Sequence, residues 1–142
     1  MSDYSIDLIL TYTSRGKIAM TRAEERVYYF ISETAAVDTE YRDAEKKRFV
    51  SLLKKAARLM DNDNMHDVNI DIEYCGGSFY NQKTVSRIFK DYRDQENDTI
   101  TFIDFWTGTE AVHVSPAEAM KRMLRAIDAR EADAIEAMTA AA

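Results

Sequence analysis

Cysteine is almost missing from this chain. Among 142 residues only Cys75 carries a thiol, so no internal disulfide is possible and the fold must be held by packing, as suits a reducing compartment. Proline occurs once, at position 116, and glycine four times, which excludes collagen-like, proline-rich and flexible-linker sequences. With so few glycines there is no Gly-rich phosphate loop. Histidine stands only at positions 66 and 113, and paired metal ligands at short spacing are missing. No apolar run approaches the roughly 18 residues of a membrane span. Met1-Ser2-Asp3-Tyr4 lacks the basic-then-apolar start of a signal peptide. These absences predict a cytoplasmic domain without membrane contact, metal or cofactor.

What is present is an ordinary globular mixture, 46% hydrophobic and 31% charged, enough for a core in one domain spanning residues 1–142. The net charge of −6 is unevenly spread. Residues 42–58 carry seven basic and two acidic groups, while acid predominates on both sides of them. An acidic body with one basic segment disfavours general nucleic-acid binding but leaves a local polyanion contact open.

Hydrophobic periodicity outlines the elements. Ile6, Leu8, Leu10 and Tyr12 alternate with polar residues, a strand with one face on a core. Ser14-Arg15-Gly16 turns it into a short partner over 17–20. Thr21-Arg22-Ala23-Glu24 reads as a capping box opening a helix, with Val27, Phe30 and Ile31 as its buried stripe. A break near 35–38 precedes a second helix, in which Phe49, Leu52, Leu53, Ala56 and Met60 follow the helical period. Val68, Ile70, Ile72 and Tyr74 alternate as a strand. Val85, Ile88, Phe89 and Tyr92 suggest a third helix.

Residues 99–127 organise the rest. Ile100, Phe102 and Trp106 on one face, with Ile103 and Phe105 on the other, predict a central strand covered on both sides. Thr107-Gly108-Thr109 turns the chain into Val112 and Val114. Ser115-Pro116-Ala117-Glu118 supplies an N-cap, a proline at the first helical position and a capping glutamate. The expected fold is α+β: an antiparallel or mixed sheet of about four to six strands with four amphipathic helices against it. Past Ile127 the last helix meets Glu131 and enters an Ala-rich tail, 132–142. Its final turns are expected to project beyond the core, exposing Ile135 and Met138 to a partner or a second copy.

Cys75 before Gly76-Gly77 has the look of a nucleophile at a strand end, but no base can be assigned to it. Asp61-Asn62-Asp63-Asn64 opens like a calcium loop and lacks the later glycine and glutamate. Asp71 and Glu73 read as a solvated strand face. Asp104, between Phe102 and Trp106, must be paired, most simply with an arginine, or stand at a pocket rim. Lys47, Lys54 and Arg58, with Arg48 and Lys55 beside them, lie opposite the second helix's apolar stripe, without interleaved aromatics for base stacking.

Taken together the residues suggest a non-enzymatic protein–protein interaction module: a small accessory protein, assembly component or inhibitor of the viral or mobile-element kind, possible as a homo-oligomer. Its candidate contact residues are Lys47, Lys54, Arg58, Trp106, Ile135 and Met138. The alternative is a ligand-binding protein or small enzyme with a pocket formed by Glu73, Cys75, Asp104, Trp106 and His113. A third reading is a nucleotide or RNA contact through helix 47–58.

Overall fold

The computed structural model describes residues 4–32, 37–62, 65–76, 81–90, 100–108 and 110–140. Six strands form one antiparallel sheet: β1 (Tyr4–Arg15), β2 (Met20–Ile31), β3 (Met65–Gly76), β4 (Asn81–Phe89), β5 (Ile100–Asp104) and β6 (Ala111–Val114). Two helices, α1 (Thr39–Met60) and α2 (Pro116–Ala140), complete the described elements. The strands lie in the order β2-β1-β3-β4-β5-β6, so every pair is antiparallel and β2 and β6 are the two edges.

Both helices pack on one face. Ile6, Leu8, Leu10, Tyr29, Ile70, Ile72, Ile88 and Phe102 from the sheet form a single buried cluster with Phe49, Leu53 and Met60 of α1 and Met123 and Ile127 of α2. The α1 stripe is the one its periodicity predicts. Its start also follows the sequence, since the Asp38 side chain accepts the Tyr41 N–H at 3.1 Å. Among the described residues no element covers the opposite face of the sheet. There the strands lace themselves together: Arg26 Nη1 donates to Asp7 Oδ2 at 3.0 Å, and Arg87 grips both oxygens of Asp71 at 2.6 and 3.2 Å.

Two of the four expected helices are strands. Residues 20–31 form β2, in unbroken register with β1 from Arg15↔Met20 to Tyr4↔Ile31. The capping-box letters at Thr21–Glu24 were outweighed by Val27-Tyr28-Tyr29-Phe30-Ile31, a β-branched and aromatic run that suits a pleated surface better than a helix. The expected helix around 85–89 is β4; Tyr92 lies outside the described residues. A β-bulge explains the misleading period. Ile72 pairs with Ser86 and Glu73 with Thr84, leaving Val85 as the extra residue. Val85 and Ile88, three apart, therefore both reach the core and imitate a helical spacing.

The strand buried on both faces is β1, not the one at 100–106. All six residues from Ser5 to Leu10 are buried, because β1 is flanked by the long strands β2 and β3. β5 lies next to the β6 edge and ends at Asp104. Asp104 Oδ1 accepts the N–H of Trp106 at 3.0 Å and of Thr107 at 3.4 Å, turning the chain before Trp106 can continue the strand.

Candidate interaction surface

Both outer strands of the sheet are unpaired on one side among the described residues, and β2, with 12 residues against 4 in β6, offers the longer edge. Antiparallel pairing alternates residues that bond inward with residues whose N–H and C=O point away. Gly16 N–H donates to Ala19 O at 3.0 Å in the hairpin turn, which fixes the phase: Met20, Arg22, Glu24, Arg26, Tyr28 and Phe30 present their backbone groups outward. An independent contact agrees, since Arg48 of α1 donates to the Tyr28 carbonyl from outside the ladder at 3.5 Å. No described residue pairs with this edge as a strand. It also lacks the proline or bulge with which proteins commonly blunt such edges.

The side chains at this edge are apolar at its two ends and charged between them, at Arg22, Glu24 and Arg26. Ile18, Met20, Tyr28 and Phe30 make up four of the seven large apolar side chains exposed among the described residues. They share one hairpin, whereas the buried Tyr29 and Ile31 point to the helices. Sequence reasoning missed this surface because it placed 21–34 in a helix. The alternation of Arg22, Glu24 and Arg26 with Ala23, Glu25 and Val27 was the available signal.

Beside this edge runs an open groove of about 490 Å³ between β2 and α1, lined by Glu25, Val27, Lys47, Arg48, Lys55 and Arg58 among others. Lys55 Nζ lies 2.6 Å from Glu25, and Arg48 is 2.8 Å from Glu45. Lys47 and Arg58 have no ion pair with a described residue, nor has Lys54, which lines a second groove farther along α1 with Lys46 and Lys47. The basic stripe therefore borders the open sheet edge, a neighbourhood that its spacing along the helix could not reveal.

The residues of the pocket alternative are divided. Glu73 and Cys75 lie on the helix-free face of β3, opposite Asp7 and Ser5. Asp104 lies on the helix side, where its Oδ1 is 3.5 Å from Arg130 Nη2. The Arg130 guanidinium stacks on Trp106, 4.3 Å from the ring centroid, and Trp106 meets Tyr74 edge-on at 6.1 Å. This arrangement is a packed ion pair under an aromatic lid. Burial lowers the Arg130 guanidinium from its ordinary value, partly offset by Asp104 and Asp133, and pushes the Tyr74 phenol up to about 12.

His113 pairs with Thr101 across β5 and β6, its Nδ1 3.1 Å from the threonine hydroxyl, so it does not meet Asp104. His66 sits at the far end of β3 from Cys75, nine residues or roughly 30 Å along the strand. Neither histidine is positioned to activate the thiol. No group of three or more His, Cys, Asp or Glu among the described residues is arranged to hold a metal.

Ile135 and Met138 do not project. Both are partly buried against the core, and Arg130 and Ala134 between Ile127 and these residues are buried. The buried stripe of α2 runs through Ala119, Met123, Ala126, Ile127, Arg130 and Ala134, with Met120 and Leu124 partly buried beside it. The helix stays on the sheet because the sheet is six strands wide and α2 crosses it from β5 to β2.

No helix among the described residues is long and apolar enough to cross a membrane. A scan against protein-family models finds no match, and no curated protein or solved structure matches the chain.

Proposed function

We propose that this protein is a non-enzymatic interaction module, a small accessory protein or inhibitor, that engages a protein partner through the open β2 edge and its hairpin. The observation that carries this reading is the pair of exposed aromatic side chains Tyr28 and Phe30, neighbours on one face of an unpaired strand that has neither proline nor bulge. Such an edge is an aggregation liability unless a partner uses it. Tyr and Met are among the residues enriched at interface cores. Lys47, Lys54 and Arg58 would add charged contacts at the rim, where they govern encounter and selectivity more than affinity. Trp106, tied to Arg130, and Ile135 and Met138, held against the core, are weaker contact residues than their sequence positions suggest.

The test is affinity capture from the native host with the intact protein and with a Tyr28→Ser, Phe30→Ser double variant. Both side chains are exposed, so the variant is expected to melt within about 1 kcal/mol of the parent. The expected result is a co-purifying protein that the folded double variant no longer retains. Equal retention by both proteins would place the functional surface elsewhere.

A further inference from the structure

The geometry points to one class of partner for this edge: an extended, acidic segment of another protein that adds to β2 as a seventh strand. The inference rests on the interaction role proposed above and specifies the chemistry of what binds. Three features converge. The outward N–H and C=O groups of β2 run in unbroken register over twelve residues, which is what strand addition requires. A strand laid against this edge projects alternate side chains to opposite faces. Those on the helix side enter the groove where Lys47 and Arg58 lack an ion-pair partner among the described residues, while those on the other side meet exposed Tyr28 and Phe30 at one end of the strand, Met20 at the other, and the mutually paired Glu24 and Arg26 between them. The matching sequence thus places carboxylates on the groove side and uncharged, chiefly apolar residues on the other. The Arg48 contact to the Tyr28 carbonyl, at the 3.5 Å limit of a hydrogen bond, marks where an edge carbonyl already accepts a donor from outside and where an incoming backbone N–H would replace it.

A second copy of this chain is the poorer fit. A two-fold contact of β2 with itself is isologous, and it brings both α1 helices, each with Lys47 and Arg58, to one junction. Like charges meet there, whereas an acidic strand neutralises them.

The experiment uses the full chain and two fluorescent peptides of about ten residues, a usual strand length with a margin, one alternating glutamate with valine and one alternating lysine with valine. The glutamate peptide is expected to bind, with affinity falling as salt rises, and the lysine peptide to bind at least about tenfold more weakly. Two variants separate groove from edge. Lys47→Glu with Arg58→Glu removes the charge complement. Glu24→Pro deletes one outward N–H while leaving the β1 ladder and the groove intact, a substitution edge strands tolerate. Each is expected to weaken the glutamate peptide by about tenfold or more, and hydrogen exchange at the Arg26 and Tyr28 amides should slow when peptide is bound.

Equal binding of both peptides, or binding unaffected by the charge reversal, would overturn the acidic partner. If the Tyr28→Ser, Phe30→Ser variant still loses its captured protein, the interaction reading survives that result. Binding of the glutamate peptide, or of an oligonucleotide, that Glu24→Pro leaves unchanged would show that the groove takes charge without strand addition. A concentration-dependent dimer that Glu24→Pro converts to monomer would assign the edge to a second copy instead.

Discussion

Arg130 occupies a place on α2 where an apolar side chain would be ordinary, one turn after Ile127 and one before Ala134. It is 3% exposed, its Nε has no hydrogen-bond partner, and its contacts to Asp104 and Asp133 are each 3.5 Å long. Long contacts to a desolvated cation contribute little net stability, so the value of Arg130 lies in filling space and covering Trp106. Asp104 does not depend on it, because the backbone N–H groups of Trp106 and Thr107 already satisfy one carboxylate oxygen. Arg130→Met should therefore stay within about 1 kcal/mol of the parent, while Arg130→Ala should lose about 2–3 kcal/mol by opening a cavity. Urea denaturation followed by Trp106 fluorescence measures both; a Met variant as damaged as the Ala variant would mean the charge itself holds the site. At this scale the sequence was partly legible. A carboxylate between Phe102 and Trp106 demands a partner, but nothing local identifies an arginine 26 positions away. Trp106 was misplaced because Asp104 ends its own strand with a side-chain turn that apolar alternation cannot register.

Strands and helices were legible where a single rule governed them. α1 combines a capped start with an unbroken stripe, and β3 alternates for most of its length, so both were read correctly. β2 failed because cap-like letters competed with a β-branched aromatic run, and β4 failed because a bulge converted a period of two into an apparent period of three. β1 shows what burial on both faces entails. Asp7 lies 6% exposed on the helix-free face, with one oxygen on Arg26 and the other, Oδ1, buried without a hydrogen bond. Burial raises its carboxyl above the ordinary 3.8, against the opposing pull of Arg26. Glu73, paired across from it, is raised by burial first and by Asp7 second. The folded state thus keeps these protons to higher pH than the unfolded chain, so it binds more protons in that window and loses stability as pH rises through it. Asp7→Val removes the desolvated charge from a strand that favours β-branched residues. It is expected to be more stable at pH 7 by about 1 kcal/mol, the lower end of the cost of one unsatisfied buried polar group. The advantage should shrink as pH falls through the raised range of the parent carboxyl down to the ordinary 3.8, because the folded parent takes up its proton first. Chemical denaturation across that pH range checks the sign, and an advantage that grows on acidification would contradict it.

Across the described residues the molecule is a sheet with one helix-covered face and unpaired edges at β2 and β6, and its basic charge accompanies the first of them. Cations gather on α1 beside β2, while α2 is nearly balanced, with five acidic and four basic side chains, and reaches back to α1 through Lys46 and Asp128 at 2.8 Å. This division was visible in the uneven charge along the chain, but its meaning was not, since strand order decides which edge the basic helix accompanies. The same lack of strand order misjudged the C-terminus. Length alone, roughly 36 Å for residues 116–139 at 1.5 Å per residue, suggested overhang; the width of six strands, at about 4.8 Å each, gives α2 somewhere to lie. Its end is consequently part of the core: Ala134 is fully buried, and Ile135 and Met138 pack against the central cluster. Ending the chain after Arg130 strips these three side chains and leaves apolar sheet surface uncovered. The loss should be on the order of 3 kcal/mol from buried apolar area, which lowers the melting temperature by about 10 °C in a domain of this size. Light scattering on the same samples should give the same number of subunits for both chains at temperatures where each is folded. An unchanged melting temperature accompanied by weaker self-association would instead return Ile135 and Met138 to the surface, as contacts with a second copy.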